Sequence, residues 1–566
     1  MEGAKPVETV RKKNPFSKVI LWAIVLVIIN ILAYQVWLQV DLTRDKRFSI
    51  NSKTEHLLKN LPEPVRVKIF LTGDKLPSGF KKLAISTEEL VRNFREISRS
   101  KVDYEVIDLQ KADTNLLKEI SRYGISNFPV TVSEGKGKTT QIPVTPYALV
   151  EKGSQKIPVL LQSFKTAQLS ENDFNNSLVL LEYNIANAIR KVSKPHLDSV
   201  LYLLGNQESG GYEVFQLANT LSAQYIFHAD TLQRMPAIPA KYKAVIINQP
   251  KQAFSEEDKY KIDQYLMQGG NLLFCIKGTT ASFDSLKTAQ SFTAVPIETN
   301  LNHLLFSYGV RIGNTIVSDL EKCVDIPLQN ADNQAGQSEF YLWPYFPIFS
   351  TNPDHPVTKN LNEVLGKFPS AIELVNDQPG IKKTVLLHTS NYAKIETTPL
   401  LIDITSVVLQ PERFSFNKKQ VPTGVLLEGK FNSIYANRIP EELAATALNP
   451  LKESERSSRI AVFSDGDIFN NEFAQQSGPK EIGTYMFSPY VFDNKNLMLN
   501  TMEYLTDTLN LLDVRSKTYQ ASILDKKRKE DEALKWQIIN IGVPAGLVIL
   551  FGIIFNFVRR RKYTGS

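Results

Sequence analysis

The chain has 566 residues, of which 43% are hydrophobic and 22% are charged. This balance is typical of a folded protein with some membrane content, and the length allows roughly three or four domains. The net charge of +7 results from 66 basic and 59 acidic residues, and much of the excess lies in the two tails. Because no folded segment concentrates Lys and Arg among aromatic side chains, the sequence argues against nucleic-acid binding.

Two apolar segments, one near each end, are long enough to cross a membrane. Residues 19–38 carry no charge, and a second apolar run at 536–558 is followed by four basic residues. A helix of about twenty residues spans the roughly 30 Å of hydrocarbon in a bilayer. Since basic tails stay on the inner side, we predict a two-pass protein of the cell inner membrane. Its tails, 1–18 and 559–566, are cytoplasmic and its main body is periplasmic.

The first part of the body alternates strands with helices. Residues 39–61 form a connector in which Asn51 or Ser52 caps a short amphipathic helix. We predict a thioredoxin-like α/β unit with a β-ribbon over 62–168, followed by a linking helix over 169–194. This unit contains no cysteine, which excludes thiol redox chemistry there. The predicted elements are strands at Val65–Leu71 and Val102–Leu109, helices at Glu88–Arg99 and Leu116–Ile120, and a hairpin with its tip at Gly135–Gly137.

A larger α/β domain, flavodoxin-like or class I amidotransferase-like, is predicted over residues 195–512. Its apolar runs are typical of buried parallel strands. We expect an insertion at about 280–380, in which the aromatic run Tyr341–Pro347 is irregular, and a membrane-proximal helix at 513–535. The predicted elements are strands at Ser199–Gly205, Ala244–Asn248, Leu272–Ile276, Thr384–His388 and Ile460–Phe463, and helices at Tyr212–Leu221 and Glu256–Gln268.

Several motifs imitate reactive sites. Gly137-Lys138-Thr139 resembles the end of a phosphate loop, but it lacks the earlier glycine and links two strands instead of opening a helix. Cys275 lies inside an apolar strand without the glycine-flanked elbow of a nucleophile, so we predict a core residue.

Asp465 and Asp467 follow a strand at the end where α/β folds place ligands. A strand-to-loop turn is the favoured interpretation, and a metal or ligand role stays open. Asp354-His355-Pro356 is interpreted as loop structure. Whether Cys275 pairs with Cys323 also stays open, and we predict no catalytic residue, no cofactor and no metal site.

Six segments, in this order, resemble one known family, the gliding-motility-associated auxiliary component of an ABC transporter (the GldG family of Bacteroidota). The resemblance covers nearly the whole chain. These segments are Asp41–Ser49, Gly73–Pro77, Ile246–Pro250, Tyr265–Gly270, Asn352–Val357 and the terminal apolar run.

The resemblance implies a non-catalytic accessory subunit that works with a separate permease and a separate cytoplasmic ATPase in gliding motility. We expect Gly542, Gly546 and Gly552 to provide small-residue surfaces for packing on the permease, while the periplasmic body engages an envelope partner or ligand. Two alternatives remain. One is an extracytoplasmic receptor for sugar or peptide, whose cleft Trp343, Tyr345 and Phe346 would line; the favoured role of these aromatics is packing between domains. The other is a cell-envelope hydrolase on the amidotransferase-like fold.

Overall fold

The computed structural model describes residues 24–27, 50–73, 76–133, 139–162, 171–329, 338–359, 361–408, 412–437, 439–440, 450–475, 478–507, 511, 514 and 532–563. The chain divides into two compact units, residues 1–517 and 518–566. The predicted first span at 19–38 lies outside the described residues, except for helical residues 24–27, so that span stays a prediction. The hairpin tip at 135–137 and almost all of the predicted helix at 513–535 also lie outside them.

The first part of the larger unit contains a four-stranded mixed sheet and its helices. Its sheet has the order β2-β1-β5-β6, in which β1 and β2 are parallel and β5 is antiparallel to both of its neighbours, while β3 and β4 form a separate hairpin. The bounds are α1 Ser52–Lys59, β1 Val65–Ile69, α2 Ser78–Ile97, β2 Val102–Val106, α3 Thr114–Arg122, β3 Phe128–Ser133, β4 Thr139–Val144, β5 Tyr147–Lys152, β6 Gln155–Leu160 and α4 Glu171–Ser193.

These elements agree with the predicted strands, and α1 begins where the sequence indicated. The Asn51 side chain caps α1 by accepting a hydrogen bond from the backbone N–H of Lys53, at 2.9 Å. The helix predicted from Glu88 starts ten residues earlier, because Phe80 and Leu83 are fully buried and add a turn to its apolar face. The thioredoxin-like class of this unit stays a prediction.

The second part contains a ten-stranded sheet with the order β14-β15-β18-β21-β22-β10-β9-β7-β8, and β16 pairs with β15. The strands of this second part are β7 Ser199–Leu204, β8 Ile226–Thr231, β9 Tyr242–Asn248, β10 Leu272–Cys275, β11 Ser291–Ala294, β12 Val310–Ile312, β13 Thr315–Asp319, β14 Cys323–Gln329, β15 Ser338–Thr351, β16 Val364–Leu365, β17 Ile372–Leu374, β18 Lys382–His388, β19 Ala393–Thr397, β20 Leu400–Asp403, β21 Pro422–Gly429, β22 Ser458–Phe463, β23 Phe473–Ala474 and β24 Gly478–Pro479. Those outside the large sheet form the two-stranded pairs β11–β20, β12–β17, β13–β19 and β23–β24. The helices are α5 Phe215–Ser222, α6 Glu256–Met267, α7 Phe283–Thr288, α8 Leu301–Tyr308, α9 Asn494–Thr506 and, in the other unit, α10 Ala533–Tyr563.

One half of this sheet is parallel and is covered on both faces. Strands β8, β7, β9, β10 and β22 run parallel, and from β22 to β15 the pairing is antiparallel. Side chains of α6 and α8 pack on one face, whereas those of α5 and α9 pack on the other. Burial on both faces explains why β7, β9 and β10 are continuous apolar runs, whereas the edge strand β8 contains no buried residue. The predicted strand–helix–strand unit between Ala244 and Ile276 is therefore confirmed.

The prediction of an irregular aromatic insertion is wrong, because Tyr341–Pro347 lies within the 14-residue strand β15. Two prolines in this run lack backbone donors and argued against a strand. The structure accommodates them with a bulge, because Val324 of β14 pairs with Trp343 while Cys323 pairs with Pro347. β15 also pairs with β18, so the expected insertion contributes to the main sheet.

A buried ion network connects α4 with the end of α9. Glu503 accepts hydrogen bonds from Arg190 and, at 3.1 Å, from the hydroxyl of Tyr225, and Lys191 Nζ lies 2.6 Å from its Oε2. Arg190 also lies 3.8 Å from Asp507. Burial alone would raise the pKa of Glu503, but Lys191 and Arg190 lower it to about 2. Buried ion pairs thus join the two parts of the larger unit, and the charge of Glu503 is stabilised by Arg190 and Lys191.

The smaller unit contains α10, a helix suited to a membrane. Leu534–Arg561, 28 residues, is long and apolar enough to cross a bilayer, and none of its most apolar stretch is buried in protein. Within the part of the chain that the structure describes, it is the one helix with these properties. The predicted span at 536–558 lies inside it.

Candidate functional site

The carboxyl ends of four parallel strands meet at one edge of the large sheet. After β7 the chain turns to β8 on one side, whereas β9, β10 and β22 lie on the other side. Such a switch in strand order opens a crevice, and open α/β sheets bind their ligands in it. The segments that leave the strands here are Gly205–Ser209, Gln249, Lys277 and Ser464–Asp467.

A buried lysine pairs with a carboxylate at this edge. Lys277 is 2% exposed, forms an ion pair with Asp467 and donates to the carbonyl of Ala281 at 3.0 Å. Asp465, also buried, accepts from the backbone N–H groups of Lys367 and Asp467 at 2.7 and 2.8 Å. Burial raises the pKa of Asp465 to about 7, although Lys277 opposes this rise. Burial also acts to raise the pKa of Asp467, but Lys277 lowers it below its ordinary value.

Amide side chains extend this cluster towards β7. Gln249 donates to Asp467 at 3.0 Å and accepts from the hydroxyl of Ser209. Asn470 donates to Ser209 at 3.0 Å, and Asn248 donates to Asn470 at 2.9 Å. The Oδ1 atom of the fully buried Asn248 accepts no hydrogen bond from the described residues. We name this set the switch-point network; it consists of Ser209, Asn248, Gln249, Lys277, Asp465, Asp467 and Asn470.

A cavity of about 810 Å³ borders the switch-point network. Asp467 and Asn470 reach its floor, together with Lys367 and Glu472, whose Nζ and Oε1 atoms lie 2.8 Å apart. Its rim carries two aromatic rings, Tyr212 and Phe473, with centroids 5.0 Å apart. They are 67% and 51% exposed. The lining therefore combines fixed polar groups with apolar ring surface.

The structure brings both predicted acids to this site. Asp465 and Asp467 lie in the predicted turn after β22, next to Lys277. Within the described residues, no group of three or more His, Cys, Asp or Glu side chains could hold a metal ion.

The other predicted residues lie elsewhere or are buried. Cys275 is fully buried in β10, where burial raises the pKa of its thiol well above the ordinary value, and both cysteines are free. His355 is buried and packs on the ring of Tyr504, at 5.1 Å. Trp343 is fully buried among aromatic rings, and Phe346, although buried, reaches the cavity. Trp343 is thus buried as predicted, and its place between domains stays a prediction.

Sequence reasoning missed most of the switch-point network. Lys277 and Asp465 each lie two residues after the end of an apolar strand, and that shared position was an available signal. Asn470 and Phe473 carry no such signal, because they reach the site through loop geometry.

Replacing Gly278 by alanine is expected to destabilise the protein by about 2 kcal/mol or more. A Cβ atom here would lie 2.3 Å from the backbone oxygen of Gly313 and 2.9 Å from Ser370 Oγ, so the backbone after Lys277 must shift. Gly210→Ala is the matched control, since its nearest neighbour would lie at 3.9 Å. Thermal unfolding of the purified full-length variants measures the difference, and equal melting temperatures would contradict the expectation.

Comparison with known families identifies most of the large domain. The model of a family described as "ABC-type uncharacterized transport system" matches residues 198–501. The chain belongs to this family. All residues of the switch-point network lie inside the matched segment of this ABC-type transport-system protein. A second model, "Domain of unknown function (DUF7088)", matches residues 44–151.

Other comparisons add little to the family assignment. No curated protein matches the chain. A solved structure titled "mmIFT52 N-terminal domain" aligns over 54% of this chain and 97% of its own, with 14% identity and a TM-score of 0.31. A likeness of this degree bears neither on fold nor on function. The ABC-type transport-system family is thus the finding that connects the structure to a process.

Proposed function

We propose that the protein is a membrane-anchored, non-catalytic accessory subunit of an ABC transporter complex. The family match over residues 198–501 carries this proposal. Helix α10 supports it, because its apolar surface is unburied and suits a lipid or a neighbouring membrane helix. A second anchor at 19–38 would place both termini in the cytoplasm and the body in the periplasm of an inner membrane.

In this role the body transmits movement and does not perform chemistry. ATP-driven changes in a permease and its cytoplasmic ATPase would reach the body through the spans, and the body would act on an envelope partner. The buried network of Glu503, Arg190 and Lys191 supports such a role, because it links the two parts of the body through ion pairs. By resemblance to the GldG family, the process served is gliding motility.

Co-purification tests the accessory role. The chain is tagged at its C-terminus, native membranes are extracted in mild detergent, and the recovered proteins are identified and counted. We expect a permease and an ATPase in fixed ratio with the tagged chain. Recovery of the tagged chain alone would overturn the proposal.

Substitution of glycines on α10 tests whether this helix packs against the permease. Nothing lies within 4 Å of a Cβ built at Gly542 or Gly546, so a larger side chain fits within this chain. If these positions pack against the permease, Gly546→Leu should reduce permease recovery by about tenfold while expression is unchanged. Val548→Leu is the matched control, because valine is already a large residue and the change to leucine adds little volume. Equal recovery with both variants would exclude packing at the glycine face.

A ligand-binding receptor is the second candidate, favoured by the cavity beside the switch-point network. No described feature favours a hydrolase. Cys275 is enclosed in β10, and the hydroxyl of Ser464 donates to the carbonyl oxygen of Ser370 at 2.5 Å. Both side chains are buried in the protein, and neither belongs to the cavity lining.

A further inference from the structure

We propose that the cavity beside the switch-point network binds a neutral carbohydrate. This inference goes beyond the accessory role and does not rest on it. The cavity volume of about 810 Å³ falls within the roughly 300–1,000 Å³ of small-molecule sites. Its lining includes Asp467, which follows β22 at the edge where open α/β sheets take ligands.

The aromatic rim supplies the first half of the recognition chemistry. Tyr212 and Phe473 expose most of their rings although they contact each other. Asn471 holds the backbone beside Tyr212, because it donates to the carbonyls of Tyr212 at 2.7 Å and of Glu213 at 2.8 Å, and Phe473 lies in β23, which pairs with β24. A rigid exposed ring pair beside a cavity offers an apolar platform, and the C–H face of a sugar ring is a flat apolar surface of matching size.

The polar floor supplies the second half. Asn470 and Asp467 offer amide and carboxylate groups whose positions are set by the hydrogen bonds of the network. The side chain of Asp467 remains 25% exposed although it pairs with Lys277. Fixed donors and acceptors close together suit neighbouring hydroxyl groups, each of which both donates and accepts. Such groups would orient a ligand that the aromatic rim holds.

The charges of the lining select a neutral ligand. Acidic side chains outnumber lysines there, so a phosphate or other anion would meet net repulsion. The floor charges are also neutralised locally, Lys367 by Glu472 and Asp467 by Lys277. Lys480 offsets one of the two other acids of the lining, so only a small net charge is left to attract a cation. The charged residues of the lining are Glu213, Asp284, Lys367, Asp467, Glu472 and Lys480.

Titration of the full-length protein with oligosaccharides tests this assignment. The probes are malto-, cello- and chito-oligosaccharides of about six sugar units, with tripeptides of mixed sequence as the competing class. The detergent must carry no sugar headgroup, because a maltoside would compete for the site. We expect at least one sugar series to bind with a dissociation constant below about 1 mM by calorimetry.

Variants of the rim connect binding to the cavity. Phe473→Ala and Tyr212→Ala should each weaken sugar binding about tenfold or more and leave the melting temperature unchanged, because both rings are exposed. Phe414→Ala is the matched control, since this ring is 78% exposed and lies outside the lining. No binding of any sugar at about 10 mM, binding of peptides instead, or equal binding by Phe473→Ala and the control would each overturn the assignment.

Discussion

Glu503→Ala is expected to lower the free energy of unfolding by about 3–5 kcal/mol. The side chain is 5% exposed, and its removal leaves Arg190 and Lys191 buried without their shared carboxylate. Burial lowers the pKa of Lys191, so this lysine can release its proton in the variant and soften the loss. We therefore expect the lower part of the range, and Glu503→Ala combined with Lys191→Met should recover part of it.

Tryptophan fluorescence provides the measurement, because Trp343 is fully buried and is the one tryptophan between residues 38 and 535. Urea unfolding of the full-length protein in detergent gives the midpoint and slope for each variant. Glu373→Ala is the control, since its ion pair with Arg311 is about half exposed and should contribute less than about 1 kcal/mol. A loss for Glu503→Ala no larger than for Glu373→Ala would contradict the expectation.

The same carboxylate predicts a pH dependence. The folded-state pKa of Glu503, about 2, lies below the ordinary value of 4.5. Its contribution to stability is therefore present above about pH 4.5 and is lost as the pH falls towards 2. The difference in stability between the wild type and Glu503→Gln should shrink over this window.

Lys277→Met is expected to destabilise the protein by about 3–5 kcal/mol at pH 8. The substitution keeps much of the buried stem but removes the cation that pairs with Asp467 and lowers the pKa of Asp465. Two carboxylates then lie near each other in the interior, and at least one must take up a proton. A second change, Asp467→Asn, should restore part of the lost stability, because it removes one of the two negative charges.

The loss caused by Lys277→Met should depend on pH in a defined direction. The folded-state pKa of Asp465 is already raised from 3.8 to about 7, and loss of the lysine raises it further. A raised folded-state pKa means that stability is lost as pH increases through it, by up to about 1.4 kcal/mol per pH unit. Urea unfolding should therefore show a larger loss at pH 8 than at pH 5. An equal loss at both pH values would contradict the expectation that the Lys277 ammonium group controls the protonation of the two carboxylates.

Apolar runs in the sequence were sufficient to predict β7, β9, β10 and β22, and local capping residues narrowed the cap of α1 to Asn51 or Ser52. A strand buried on both faces is a continuous apolar run, and a cap is a local contact between neighbouring residues, so each is visible in a short window. The same holds for the apolar helix near the C-terminus, whose length and composition decide its suitability for a membrane. These features depend on residues that are close in sequence.

Only the tertiary structure showed how distant residues combine. β15 is a strand despite its prolines because a bulge against β14 relieves the missing donors. Glu503 pairs with Arg190, more than three hundred positions away, and Phe473 reaches Tyr212 across a similar distance. The sequence by itself determined the apolar C-terminal helix, the buried strands β7, β9, β10 and β22, and the two acids after β22, whereas it did not predict the edge strand β8. The order of the strands in the sheet brings these acids next to Lys277 and forms the cavity beside them. Contacts between separate elements produce no periodic pattern in the sequence, so only the tertiary structure could show them.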